Sequence, residues 1–456
     1  MNILLINPPG KISFVSPPLG LLYIAASLKE DGHNVSLVDY NLEKISDDDL
    51  GQIITEKKKE AVGISVVTPK VYGAMELAKL IKEKFPEIIV IAGGPHATLM
   101  PEEMMKECPA IDFIIQGEGE IRSKELFSKL ESKTDYSEID GLVFRKSGQI
   151  INNKVKGYIA DLNALPMPAR ELVDIKRYAS KLKTSVYPAT TMMTSRGCPF
   201  RCIYCSKPVT GSRIRSLSPE KVLKEIEELA NKYGIKEIIF YDDSFTIDKP
   251  RVMKICDMII ERKIKMRWQC ETRANLVDQE MLNKMKESGC YLIAYGIESG
   301  SDRVLAILKK GLTKEQIRKA VEMTKKAGIQ VLGYFMLGIP GETEEDIKET
   351  IKFSKELNLD FAQFSIATAY PGTELYRIAK QNNKITSDWS KSVYALGGKP
   401  LISLSDVSVD KLYYYTKKAY SSFYFRPAYI FKKISSIKSI NDLVYTIRGL
   451  FTLLKI

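Results

Sequence analysis

Two stretches of this chain alternate short apolar runs with helical patterns, and a proline-rich segment separates them. Strands that alternate with helices imply parallel sheets covered by helices. In residues 1–135 the strand signals are Asn2–Ile6, Val35–Val38, Val62–Val66, Ile88–Ala92 and Asp112–Ile115. Helical patterns lie between them, as in Leu19–Lys29 and Tyr72–Lys84. This pattern predicts an α/β, flavodoxin- or Rossmann-like doubly wound domain. Ligands in such folds bind beyond the carboxyl ends of the strands. Those ends carry Asn7-Pro8-Pro9-Gly10, Ser65 with Thr68-Pro69, Gly93-Gly94-Pro95-His96 and Gln116-Gly117-Glu118-Gly119-Glu120.

Residues 136–185 read as a hairpin, Gly141 to Asn153, followed by a proline-rich linker that suits neither helix nor central strand. From 186 to 395 the alternation resumes. Its strands read Thr190–Thr194, Glu237–Tyr241, Met266–Glu271, Tyr291–Gly296, Gln330–Met336 and Phe361–Ala367. Helical stretches include Pro219–Lys232, Arg251–Lys263, Lys314–Ala327 and Glu344–Leu357. These units predict a partial (β/α)6 barrel, whose working residues belong in the loops after the strands.

Charge and cysteine content narrow the chemistry. The net charge is +12, and nine Lys/Arg against one acid between Lys411 and Ile456 supply +8 of it. The rest is only slightly basic, so no nucleic-acid surface is indicated. Two histidines, His33 and His96, are too few for a histidine-based metal site. Seven cysteines in a chain whose start lacks signal-peptide features argue against a disulfide framework and for a reducing cytoplasm.

Three of those cysteines fall in Arg196-Gly-Cys198-Pro-Phe-Arg-Cys202-Ile-Tyr-Cys205, directly after the first barrel strand. Three thiolates in one loop suit an iron–sulfur cluster. Part of a zinc site is the alternative, although no neighbouring fourth ligand is visible. The basic Arg196, Arg201 and Lys207 would help stabilise an anionic cluster. Cys256, Cys270 and Cys290 read as core residues.

Cys-x3-Cys-x2-Cys with Tyr204 before the last cysteine resembles the radical S-adenosylmethionine (SAM) superfamily. Tyr241-Asp242-Asp243, Glu271-Thr272-Arg273, Gly296-Ile-Glu298-Ser299, Gly338-Ile-Pro340-Gly341-Glu342 and Ala369-Tyr-Pro-Gly-Thr-Glu374 resemble the same family, each at a strand end. The resemblance implies that Cys198, Cys202 and Cys205 hold a [4Fe–4S] cluster. It also implies that Tyr204, Asp242, Arg273, Glu298 and Ser299 contact SAM. The first domain is similar to the cobalamin-binding domain ahead of many such barrels, which implies cobalamin contacts from Asn7, Pro8, Ser65, Thr68, Gly93, Gly94, His96, Gly117 and Glu118. The chain departs from the Asp-x-His-x-x-Gly loop that gives many cobalamin proteins their cobalt ligand. Asp31-Gly32-His33 precedes strand two, and Ser36 replaces the glycine. His96 reads either as a backbone-bonded turn residue or as one approaching the corrin.

The family's scheme then implies an enzyme. An external donor such as flavodoxin or ferredoxin reduces the cluster, SAM is cleaved to a 5′-deoxyadenosyl radical, and cobalamin delivers a methyl group to an unactivated carbon of a small-molecule or lipid-like substrate. A second reading keeps the radical but transfers no methyl, as in a cyclisation or oxidation of an apolar substrate. A third is a cobalamin-binding sensor without catalysis. Residues 396–456 mix cations with aromatic residues, eleven of them from Tyr413 onward. They read either as a helical cap on the barrel or as an amphipathic segment at the inner face of a membrane.

Overall fold

The computed structural model describes residues 1–10, 15–179, 186–385, 388–389 and 399–435. A parallel strand covered on both faces must be apolar at successive positions, and the first region meets that demand. Its strands are β1 (Asn2–Asn7), β2 (Asn34–Asp39), β3 (Ala61–Ser65), β4 (Ile89–Gly93) and β5 (Phe113–Ile115). Leu4, Ile6, Val62, Ile64, Val90 and Ala92 point into one apolar layer. Ile3, Leu5, Ala61, Ile91 and Phe113 point into the other. The sheet order β2-β1-β3-β4-β5 is the doubly wound one. The hairpin that follows is β6 (Leu142–Lys146) and β7 (Gln149–Asn152). It is not a free linker: β6 pairs antiparallel with β5, and the sheet has seven strands.

The second sheet begins with β8 (Ala189–Met192). A two-stranded ribbon interrupts it, β9 (Ser195–Arg196) with β10 (Arg215–Ser216). The sheet continues through β11 (Glu237–Phe240), β12 (Arg267–Thr272), β13 (Cys290–Glu298), β14 (Gln330–Leu337) and β15 (Phe361–Ile366). All neighbours run parallel, in the order β15-β14-β13-β12-β11-β8. One face of these strands packs on the helices through Ile238, Phe240, Trp268, Cys270, Ile293, Tyr295, Phe335 and Phe364. The other is more open and more polar, with Glu271 exposed and Tyr334, Gln363 and Ser365 partly exposed. Tyr334 reaches past the small residues of β13 to donate to Glu271 Oε1 at 2.9 Å. Six helices cover the outside. Their N-caps, Ser218, Asp248, Asp278, Thr313, Thr343 and Thr373, each accept a backbone N–H of the first turn. Each such cap contributes about 1 kcal/mol.

A six-stranded sheet leaves β15 as an open edge, and unpaired strand backbone is a liability. The helix Val409–Tyr424 covers it. Tyr420 Oη donates to Phe364 O at 3.0 Å and accepts Phe364 N–H at 3.1 Å. One turn on, Tyr424 does the same for Ala362, at 2.7 and 3.0 Å. Tyr429 donates to Asp360 O at 2.9 Å. Spacing of i, i+4 puts the first two phenols on one helix face, in step with alternate residues of the strand. Leu412, Tyr415, Ala419 and Phe423 join the barrel core. The described aromatic residues of the tail therefore go largely to a cap. Tyr445 and Phe451 lie outside the described residues. Among the described residues no helix is long and apolar enough to cross a membrane.

Tyr420→Phe removes one phenol that serves both backbone groups of buried Phe364. We expect a loss of about 1–3 kcal/mol, read as a lower urea midpoint, with little loss from Tyr414→Phe, whose side chain is 55% exposed.

Candidate active site

The cysteines occupy the loop of the β9–β10 ribbon, at the carboxyl end of β8. Gly197 opens that loop with φ +88°, and a Cβ there would come within 2.3 Å of Arg213 O. Only glycine fits. Lys207 Nζ then donates to Cys198 O at 2.7 Å. Cys202 is buried, Cys198 half-buried and Cys205 exposed.

Around Cys202 the strand ends converge. Arg273, just after β12, places Nη1 3.6 Å from Cys202 Sγ and its guanidinium 3.7 Å over the Phe200 ring. Its Nη2 donates to Lys310 O. Lys310 Nζ donates to Glu298 Oε1 at 2.8 Å and to Tyr204 Oη at 3.0 Å. Tyr204 Oη in turn donates to Glu298 Oε1 at 2.8 Å. Cys202, Arg273, Lys310, Tyr204 and Glu298 thus form one connected group, all but Tyr204 buried. Glu298 adopts φ +66° where β13 shifts register against β14. Backbone of that kind costs of order 1–3 kcal/mol in a non-glycine residue and collects at functional sites. The hydrogen bond from Cys205, then the charges of Lys310 and Arg273, draw the Cys202 thiol below its ordinary value.

Two other residues expected to contact SAM are engaged in hydrogen bonds within the protein. Asp242 is 2% exposed, and its carboxylate accepts Thr194 N–H and Thr194 Oγ1–H, both at 2.7 Å, together with Ser195 N–H. It fixes the turn from β8 into β9. Ser299 is fully buried, bonded to Thr350 Oγ1 at 3.0 Å and to Ser301 N–H at 3.2 Å. It shapes the loop after β13. Lys310 was not singled out from the sequence. Its one signal is the Lys309-Lys310-Gly311 turn, which resembles any solvated basic turn.

In the first domain, Asn7, Ser65, Gly93, Gly94 and Gly117 are half-exposed at the strand ends, while Pro8, Thr68, His96 and Glu118 are buried. Gly94 has φ +94°, and a Cβ there would lie 3.1 Å from Val66 N and O. Asn7 Nδ2 donates to Asp39 Oδ1 at 3.0 Å and its Oδ1 accepts Lys70 Nζ at 2.9 Å. Gly117 N–H donates to Thr98 Oγ1 at 2.8 Å. His96 is held at both ends: its N–H reaches Val66 O at 2.9 Å, and Nδ1 lies 3.2 Å from Thr68 Oγ1. The Trp389 ring stands 6.3 Å from the imidazole, edge-on.

Glu118 Oε1 accepts Arg196 at 3.0 Å, and Oε2 accepts Arg215 and Ile159 N–H, both at 2.7 Å. Both oxygens bond to the ribbon and to the segment leading to the barrel, so Glu118 ties the two regions together. Arg196 is likewise taken by carboxylates and is not free to stabilise a cluster. Asp174, Glu43 and the other exposed acids lie outside this group.

A parallel doubly wound domain ahead of a six-stranded β/α barrel, with a three-cysteine loop after the first barrel strand, is the arrangement of a SAM-cleaving radical enzyme with a corrinoid domain. The residues fit the implied groups. Soft thiolates flanked by Arg273 and Lys310 suit an anionic cluster. Arg273 Nε is a buried donor without a partner, as a carboxylate-bearing ligand requires. The glycine-lined strand ends leave backbone open to a flat macrocycle. Among the described residues no three His, Cys, Asp or Glu are gathered around one metal ion; a cubane takes its thiolates on separate irons.

The radical SAM superfamily model matches residues 192–354, and the B12 binding domain model matches residues 10–127. An uncharacterized methyltransferase of Pyrococcus horikoshii is 38% identical over 442 residues, 95% of each chain. The anaerobic magnesium-protoporphyrin IX monomethyl ester cyclase of Rubrivivax gelatinosus is 28% identical, covering 83% of this chain and 70% of its own. The solved radical SAM methyltransferase TsrM of Kitasatospora setae, with cobalamin and a [4Fe-4S] cluster bound, superposes with a TM-score of 0.72 at 19% identity, over 85% of this chain and 76% of its own. The chain belongs to the radical SAM superfamily, in the branch with a B12-binding domain, and it is an enzyme whose cofactors are a [4Fe–4S] cluster, SAM and cobalamin. A non-catalytic cobalamin sensor is thereby set aside.

Two outcomes follow from the geometry. Gly197→Ala should leave a folded chain that retains well under half of the parent's iron after anaerobic reconstitution, measured by metal analysis. Burial lowers the His96 pKa to about 4, against about 6.5 in an unfolded chain. The folded state therefore resists protonation: its stability from this site is complete above pH 6.5 and is lost as pH falls toward 4. His96→Gln should flatten that part of the curve of urea midpoint against pH.

Proposed function

We propose that this enzyme methylates an unactivated carbon of a small-molecule substrate. The connected group Cys202–Arg273–Lys310–Tyr204–Glu298 carries the reading, because it places a thiolate, a partnerless guanidinium donor and a buried ion pair together at the carboxyl ends of the barrel strands. The bound groups supply reductive cleavage of SAM, with one electron from an external donor of the flavodoxin or ferredoxin kind, and methyl transfer. Cys198, Cys202 and Cys205 hold the cluster.

Arg273 offers its free Nε to the methionine carboxylate, while the Phe200 ring and Lys310 carbonyl fix its plane. Lys310 neutralises Glu298, so that Glu298 presents its remaining oxygen as an acceptor without carrying an uncompensated buried charge. Tyr204 closes this corner and helps exclude water. Asn7, Ser65, Gly93, Gly94 and Gly117 line the cobalamin side, with His96 held by Thr68 as part of its wall.

The cyclase relative supports a second reading, in which the radical is used without methyl transfer. SAM labelled in its methyl group separates the two. Label in the product supports methylation, and 5′-deoxyadenosine with an unlabelled product supports the second reading. Absence of 5′-deoxyadenosine from reduced, reconstituted protein defeats both. Cys202→Ala should abolish 5′-deoxyadenosine. Arg273→Lys should raise the KM for SAM roughly 10- to 100-fold, the loss of one charge-assisted hydrogen bond, with the cluster's absorbance retained.

A further inference from the structure

Arg196 and Arg215 are direct cross-strand partners in the β9–β10 ribbon. Like charges placed opposite each other on a ribbon repel, and both side chains are under 10% exposed. The front domain supplies the compensation. Glu118 bridges the two, at 3.0 Å to Arg196 and 2.7 Å to Arg215, and Glu120 accepts a second bond from Arg196 at 2.6 Å. Both carboxylates are under 5% exposed. Two cations and two anions balance in a buried site, and the Tyr23 ring lies 5.3 Å from the Arg196 guanidinium. Arg215 also donates to Ile159 O and Thr210 O, both at 2.6 Å.

The placement gives this cluster a function beyond cohesion. The two arginines are the stem of the hairpin whose loop is residues 197–214, with all three cysteines in it. The two glutamates sit in Gly117-Glu118-Gly119-Glu120, where the chain leaves β5 and enters the helix Gly119–Ser132. Arg122 fixes that loop from behind, with Nη1 on Glu118 O at 2.8 Å. The base of the cysteine loop and the rim of the cobalamin domain are therefore one charge-locked unit. The exposed ion pairs Lys29–Glu171 and Arg177–Glu43 involve the linker and touch neither loop.

We infer that Glu118 and Glu120 are positioning residues which set the distance between the iron–sulfur cluster and cobalamin by clamping both strands of the cysteine hairpin. This rests on the two-cofactor reading above. A misplacement near 1 Å is enough to cost a reaction of this kind about 100-fold, so a rigid lock between the two sites has a clear purpose.

The test is Glu120→Gln, which keeps the shape and removes one charge. The readout is the magnetic dipolar coupling between the reduced cluster and cob(II)alamin in doubly loaded protein. Iron and cobalamin content should match the parent, and each centre should keep its own resonance. The distribution of distances between them should become measurably wider than the parent's, and Glu120→Asp should restore part of the parent's sharpness. If Glu120→Gln fails to fold, Arg215→Lys replaces it, with the same broadening expected. An unchanged distribution in the folded variant overturns the inference while leaving the two-cofactor reading intact. A parent that takes up no cobalamin overturns both.

Discussion

Four buried charges join the front domain to the base of the cysteine loop, and the seating of that loop depends on them. A lone buried ion costs several kcal/mol, and a pair repays that only with good geometry and full hydrogen bonding. Here Arg196 and Arg215 stand side by side and cannot remain buried without Glu118 and Glu120. The cost is accepted at the base of the one loop that must hold a cluster in a fixed place. Burial has a second effect, because it shields these pairs from the salt screening that weakens surface bridges.

The connected group around Cys202 uses the same logic on a smaller scale. Glu298 sits in left-handed backbone beside a register shift, held by Lys310 and Tyr204. Lys310 in turn accepts Arg273 through its carbonyl, and Arg273 reaches Cys202. A change at any member propagates to the others, since each is another's hydrogen-bond partner. Asp242 and Ser299 lie one layer back and hold the turns from which this group is presented.

Much of the fold was legible in the sequence. Strands buried on both faces show as unbroken apolar runs, and barrel helices announce themselves through Ser, Thr and Asp caps. All eleven expected strands are found, within a few residues at either end. The ribbon was not legible, because two-residue strands of Arg and Ser carry no periodic signal. Nor was the joining of the hairpin to the first sheet, which depends on β5 having a free edge. Within the site, the cysteine loop, Tyr204, Arg273 and Glu298 could be read from their places after strands. The bonding of Glu118 to two arginines is not legible, since a Gly-Glu-Gly-Glu loop at a strand end looks the same whether it faces a ligand or an arginine. Lys310 was missed because a lysine's burial depends on tertiary partners that no local pattern reveals.

The tyrosine seam on β15 bears on how the protein is made. The strand it covers is complete at residue 366, but the phenols that satisfy its outer backbone belong to residues 420, 424 and 429. During synthesis the barrel emerges with a raw edge, and roughly sixty more residues must leave the ribosome before that edge is closed. Through that interval a nascent chain can pair with a neighbour's strand as readily as with its own helix, and an interrupted chain ending before Tyr420 keeps this adhesive edge permanently. The tyrosine helix thus closes an edge that a second copy could otherwise pair with.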